Sequence, residues 1–265
     1  MLNPAAVAGP DAVISRRNPV AKLVCDAVLS VTVLASTDWL TPTLAGLLVL
    51  LAAAVTGVRW GALVRRLRLV LPAAGAVLVL SAVFTSTKTG AVWLDIGPIL
   101  ITESSAASGV ALAVRVLAVA GAAVIVFGTT DPTDLADSLI QQWRLSPRFA
   151  IGSLAALRML PLLGRQWQLI TMARRARGLD AGANPIARLR LFASTMFALL
   201  VGAVRQGTGL ATAMDARGFD SGLPRSSARR QRITAADVVL MVVTVAGCAA
   251  VVAVSVATGH FRSIL

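Results

Sequence analysis

This chain has few of the side chains that most protein chemistry requires. Its 265 residues contain one histidine, two cysteines and twelve acids. His260 lies outside the apolar runs, near the C-terminus, so neither a histidine general base nor a metal cluster can be assembled around it. No metal and no cofactor are therefore expected. Cys25 and Cys248 each fall inside an apolar run and read as small buried hydrophobes, with no disulfide implied. A phosphate-binding loop of the form G-x-x-x-x-G-K-[ST] is also missing: the one Lys followed by Ser or Thr is Lys88-Thr89, and Thr87 precedes it where Gly is needed. The chain is thus not expected to be an enzyme or to bind ATP in that way, and any energy it uses must come from a partner. The first twenty residues lack a long apolar core behind a basic start, so no cleaved leader is read there.

Charge is scarce as well. Only 14% of residues are charged and 57% are hydrophobic, with a mean hydropathy of +0.79. Soluble domains carry about a quarter charged residues, so much of this chain belongs in lipid. Apolar runs lie at 20–37, 41–58, 69–86, 106–128 and 236–258, against the roughly 20 residues needed to cross the hydrocarbon. The first is interrupted by Asp26. Arg16, Arg17 and Lys22 precede the first run, and Arg59, Arg65, Arg66 and Arg68 separate the second from the third. By the positive-inside rule these basic loops lie in the cytoplasm, which places the N-terminus there and His260 and Arg262 outside. Trp39, Trp60 and Trp93 fall at the expected interfaces. The fold expected is an all-α integral membrane protein with about five transmembrane helices and a cytoplasmic coupling domain of long amphipathic helices. Its parts are a cytoplasmic tail (1–17), helices 1–4 (18–128), coupling helices (129–233), and a last helix with an external tail (234–265).

The coupling segment holds nearly all of the excess positive charge. From Arg144 to Arg232 there are fifteen arginines against three aspartates. Cap-then-proline pairs mark its helix starts. Asp131-Pro132 opens a short helix with Asp134 in a capping-box position; Ser146-Pro147 opens a second, running to Arg177; Asn184-Pro185 opens a third, running to Arg217. Pro161 is placed to kink the second. Arg158 and the short apolar run 191–204 argue that these two long helices lie at the cytoplasmic edge of the membrane rather than crossing it. Arg225, Arg229, Arg230 and Arg232 suit anionic headgroups, each worth about 1 kcal/mol. A nucleic-acid reading would need aromatic stacking partners among the basic residues. The segment's aromatics are scattered, so no nucleic-acid partner is expected.

The most informative feature is a repeat. ARGLDAG (176–182) and ARGFDSG (216–222) agree at five of seven positions, forty residues apart. Gly178 and Gly218 stand just past a helix end, where a left-handed residue stops the helix. Arg177 and Arg217 are then last-turn cations favoured by the helix dipole, each projecting at a tip beside Ala176 or Ala216. A fork-shaped cation on a small-residue tip can enter a groove and pair with a carboxylate. Asp180 and Asp220 either orient these arginines or cap the following turn. Within the spans, Arg115 is the one mid-span cation. It is either functional or half of a structural ion pair for which Asp26 is the available acid.

The paired Ala-Arg-Gly motifs resemble the signature of the transmembrane coupling (T) component of energy-coupling factor transporters. Other segments are similar to the family too: Asn18-Pro19-Val20-Ala21-Lys22-Leu23 at the first helix, ALAVRVLAVA around Arg115, and LRMLPLLGRQWQLITMARRARG and LATAMDARGFDSG leading into the two motifs. The resemblance covers about residues 18–258, with Asp26 as its main departure. It implies a multi-pass cell-membrane subunit of a vitamin or transition-metal importer. Such a subunit would sit between two ABC-type ATPases and a small membrane substrate-capture (S) protein. Arg177 and Arg217 would each dock one ATPase, and the long helices would act as levers. The competing reading, a self-sufficient secondary transporter, would require inverted halves and a charged midplane site, and no such symmetry is visible.

Overall fold

The computed structural model describes residues 9, 12–36, 38–85, 91–96, 99–179, 182, 184–219 and 229–259. They form nine helices and one two-stranded hairpin, in the order α1 (Pro19–Ala35), α2 (Leu40–Val55), α3 (Trp60–Leu67), α4 (Leu71–Phe84), β1 (Val92–Ile96), β2 (Ile99–Thr102), α5 (Glu103–Gly128), α6 (Pro132–Gln142), α7 (Pro147–Ala176), α8 (Pro185–Ala216) and α9 (Ala235–Ala257). The chain is all-α apart from the antiparallel hairpin, which occupies a stretch where no element was expected. It falls into two compact units, residues 1–144 with 231–265, and residues 145–230.

In the first unit, α5 is the central element and packs against α1, α2, α3 and α4, while α9 packs on α1 and α2. Small residues make this possible, because without a hydrophobic drive between helices in lipid, association depends on close backbone approach. At Gly109 on α5 even a Cβ would meet the Leu78 carbonyl of α4 at 2.7 Å. Gly46 faces Ala118, and Gly121 faces Val49, along the α2–α5 seam. The buried core gathers Leu29, Val33, Val49, Leu63 and Ile125. Many large apolar side chains stay exposed, among them Leu47, Val79, Val242 and Val243, as a lipid-facing surface requires.

The expected cap chemistry holds at Asp131 and Asn184 but not at Ser146, which opens α7 without a side-chain cap bond. Asn18 accepts from the Val20 amide at 2.9 Å, and Asp131 accepts from the Thr133 amide at 2.7 Å. Asp134 does not close a capping box; instead it accepts from Gln231 Nε2 at 3.4 Å. The boxes that do close are Thr102 with Ser105 on α5 and Thr234 with Asp237 on α9.

Among the described residues three helices are long and apolar enough to cross a membrane: α5 with 26 residues, α8 with 32 and α9 with 23. The α3–α4 pair, bent by 44°, would make a fourth. Of the five expected runs, α5 and α9 meet the length alone, and α2 is a shorter apolar helix of 16 residues. By length and composition α8 also qualifies, although the sequence reading kept it out of the membrane.

The second unit is two long helices. α7 runs for 30 residues as one element with Pro161 inside it, and α8 for 32. Ala150 and Thr195 are their only buried residues.

Candidate functional site

The two motifs end their helices with nearly the same backbone. Arg177 has φ −87° and ψ 8°, and Arg217 has φ −88° and ψ 9°. Gly178 and Gly218 follow at φ 74° and 70°, a left-handed turn that glycine adopts without Cβ strain. The hydrogen bonds correspond one for one. Gly178 N–H donates to Arg175 O and Gly218 N–H to Asp215 O, both at 2.9 Å. Leu179 N–H reaches back to Arg174 O at 3.0 Å, and Phe219 N–H to Met214 O at 3.1 Å. This pair of bonds is the Schellman arrangement that satisfies the last carbonyls of a helix. Ala176, Arg177 and Gly178 are exposed, as are Ala216, Arg217 and Gly218. Neither Arg177 nor Arg217 has a side-chain partner among the described residues. Asp180 and Asp220 lie outside the described residues.

Arg174, three residues before Arg177, pins α7 to α8. Its Nη1 donates to Leu191 O at 3.2 Å and Thr195 Oγ1 at 2.9 Å, and its Nη2 to Ser194 O at 3.1 Å and Ser194 Oγ at 2.9 Å. Trp167 packs edge-on against Phe192 with ring centroids 5.5 Å apart. Sequence reasoning missed this clamp. The adjacent arginines 174 and 175 look alike in sequence, and the fold alone turns one inward and leaves the other exposed.

In the first unit Lys22, Asp38, Arg115 and Asp237 are taken up by internal hydrogen bonds, while Arg16, Arg59, Arg65 and Arg68 stay exposed. Arg115 does not meet Asp26. Its Nη2 donates to Ser36 O at the end of α1, and the nearby acid acting on it is Asp38. Asp38 in turn accepts from the Thr41 amide at 2.9 Å, the Thr41 hydroxyl at 2.8 Å and the Ser255 hydroxyl at 2.6 Å. Burial alone would raise the Asp38 carboxyl, but the Ser255 and Thr41 hydrogen bonds outweigh it and hold the carboxyl below the ordinary aspartate value. Arg115 is therefore a structural tie among α1, α5 and the turn before α2. Asp26 borders a small cavity of about 100 Å³ with Cys25, Leu240 and Thr244, and its Oδ1 is buried with no hydrogen-bond partner.

A second polar cluster was not anticipated. Lys22 is 2% exposed and donates from Nζ to Thr129 O, at the end of α5, at 3.0 Å. Asp237 accepts from the Asn18 amide at 3.0 Å while capping its own helix through Thr234. Lys22 had been read as a loop cation preceding the first span; it is instead a buried tie joining α1 to the end of α5, close to the start of α9. The signal available in the sequence was its position four residues after the cap Asn18, which turns it inward with Pro19 and Val20. Among the described residues no group of His, Cys, Asp and Glu could hold a metal ion.

Residues 10–228 match the CbiQ family, described as cobalt transport protein. The chain is 30% identical over 168 residues to the energy-coupling factor transporter transmembrane protein EcfT of Exiguobacterium sibiricum, a match covering 60% of this chain and 64% of that one. It is 28% identical over 228 residues to the protein of the same name from Lacticaseibacillus paracasei, covering 83% of this chain and 85% of that one. A putative ABC transporter ATP-binding protein of Bifidobacterium longum is 27% identical over 176 residues, which are 63% of this chain but 22% of that one. The chain thus spans less than two thirds of the Exiguobacterium relative's length. Because the family match runs from residue 10 through both arginine-tipped helix ends to residue 228, the chain belongs to the CbiQ family and is a transmembrane (T) component of the energy-coupling factor type.

Proposed function

We propose that this protein is the coupling subunit of an ATP-driven importer of vitamins or transition-metal ions, and that Arg177 and Arg217 each dock into one of two cytoplasmic ABC-type ATPases. The observation that carries this reading is the identity of the two helix ends, which agree in dihedrals and hydrogen bonds and leave each guanidinium exposed. Two equal tips suit two related receptors. A planar guanidinium on an alanine-glycine end fits a narrow groove ending in a carboxylate. The Bifidobacterium relative supports ATPase partnership, since one chain there joins a segment like this one to the remainder of a protein named as ATP-binding. ATP hydrolysis then belongs to the partners, and this chain is non-catalytic.

Residues 129–233 would form the cytoplasmic coupling part, with residues 18–128 and 234–265 contributing the membrane body and the N-terminus on the cytoplasmic side. The basic loops around Arg59–Arg68 and Arg144–Arg232 support that orientation. The exposed apolar faces of the membrane helices would hold the small substrate-capture protein. The test is co-purification of ATPases from the host membrane with wild type, Arg177→Glu, Arg217→Glu and the double variant. Each single variant should lose about tenfold or more in retention, in line with the 2–5 kcal/mol of a broken desolvated pair, and the double variant should retain none. Wild-type retention by the double variant would reduce both arginines to helix caps.

A further inference from the structure

The two tips share a backbone but not a charge. Aligned on their Ala-Arg-Gly triplets, Arg174 corresponds to Met214 and Arg175 to Asp215. Arg174 is spent on the clamp to α8. Arg175 is exposed, its side chain making no hydrogen bond or ion pair to a described residue, and so is Asp215. Behind the first tip, Arg175 also lines a cavity of about 350 Å³ together with Arg174, Arg188, Thr171, Leu179 and Thr195. Three guanidiniums and no described acid border it, and Arg188 makes only a long 3.4 Å contact to Gly182 O. Arginines that border one cavity repel one another, and an anion entering it relieves that repulsion.

We propose, resting on the docking reading above, that the two tips are not interchangeable. The first is a two-point dock whose ATPase presents one carboxylate to Arg177 and a second acidic side chain to the Arg175–Arg188 cavity. The second is a dock of mixed sign, whose ATPase presents a carboxylate to Arg217 and a hydrogen-bond donor or cation to Asp215. A partner carboxylate suits the cavity better than a lipid phosphate because Leu179, two residues past Arg177 on the same tip, forms part of its wall. Whatever receives Arg177 therefore also covers the cavity mouth. Arg175 and Asp215 then decide which ATPase meets which tip: a like charge placed against either receptor is repelled, and that is how an interface rejects the wrong partner.

The test uses the full chain co-expressed with the ATPases that co-purify with it, and measures their retention against salt concentration for Arg175→Asp, Arg175→Met, Asp215→Arg and the Arg175→Asp/Asp215→Arg swap. Both residues are exposed and make no described side-chain contact, so the variants should fold; size-exclusion profiles check this. Arg175→Asp should lower retention about tenfold and flatten its salt dependence, since exposed charge contacts are screened within about a Debye length. Arg175→Met should lower it about threefold. The swap should bind more weakly than either single variant. The proposal is overturned if Arg175→Asp stays within twofold of wild type, or if the swap restores wild-type retention. It is also overturned if Arg175→Asp spares ATPase retention and weakens only the binding of phosphatidylglycerol vesicles. Failure of the docking reading looks different: Arg177→Glu and Arg217→Glu would then retain ATPases as wild type does, whatever Arg175 does.

Discussion

The two compact units treat charge in opposite ways. In the first, Lys22, Asp38, Arg115 and Asp237 are all drawn inward and matched with helix-end carbonyls, hydroxyls or amides. In the second, Arg175, Arg177, Arg190, Arg205, Asp215 and Arg217 are exposed, whereas Arg174 is tied to α8 by four hydrogen bonds. A charge inside a membrane body is costly unless it is satisfied, and these four are spent as structural ties, whereas Asp26 keeps a buried oxygen without a partner. A charge on an exposed pair of helices costs little to keep and remains available to a partner. The difference is that the fold has already used Arg115, whereas it leaves Arg177 and Arg217 exposed, which is the observation the proposed docking role rests on.

The comparison predicts that removing a charge will damage stability in the first unit and docking in the second. The largest effect should come from Lys22→Met. It leaves the Thr129 carbonyl at the end of α5 without its donor and removes the buried cation on which Asp237 acts, and should cost about 3 kcal/mol. Thermal unfolding of the detergent-purified protein, or its yield in membranes, measures this. A loss below 1 kcal/mol would mean that Lys22 is not a buried tie.

Gly109→Val should follow closely. A Cβ there already meets the Leu78 carbonyl at 2.7 Å, and overpacking of this kind costs about 1–3 kcal/mol. Its readout is the same melting curve, with Gly75→Ala on the open side of α4 as a control expected to stabilise by up to about 1 kcal/mol.

Arg174→Ala sharpens the comparison, because it removes a second-unit charge that is tied down as those in the first are. It should cost that unit about 1–3 kcal/mol and raise amide hydrogen exchange around 191–195, while weakening docking at the first tip more than at the second. Equal weakening at both tips would mean that the clamp stiffens the whole pair of helices rather than one end.

The smallest effect is the pH dependence of Asp38. Its folded carboxyl is held below its unfolded value, so its stabilising contribution is present above about pH 4 and is lost as pH falls through the lower folded value. Asp38→Asn should therefore flatten the acid-side decline in melting temperature and leave its slope above pH 6 unchanged. A steeper acid-side decline would show the sign to be wrong.

Sequence by itself determined the helices, their starts and the twin tips. These depend on neighbours a few residues apart: an Asn, Asp or Ser before Pro at a helix start, and a glycine just past a helix end. That local chemistry acts before any tertiary contact forms. It also carried the family resemblance, because the motifs are contiguous. Tertiary structure alone decided the charge pairings. Arg115 met Ser36 and Asp38 rather than Asp26, and Lys22 met the end of α5, because each partner lies about 80 or more residues away in the chain and is brought near only by helix packing. It also separated Arg174 from Arg175, neighbours of identical chemistry. Successive residues on a helix point about 100° apart, and only the position of α8 determines which of the two is taken up by the fold and which is left for a partner.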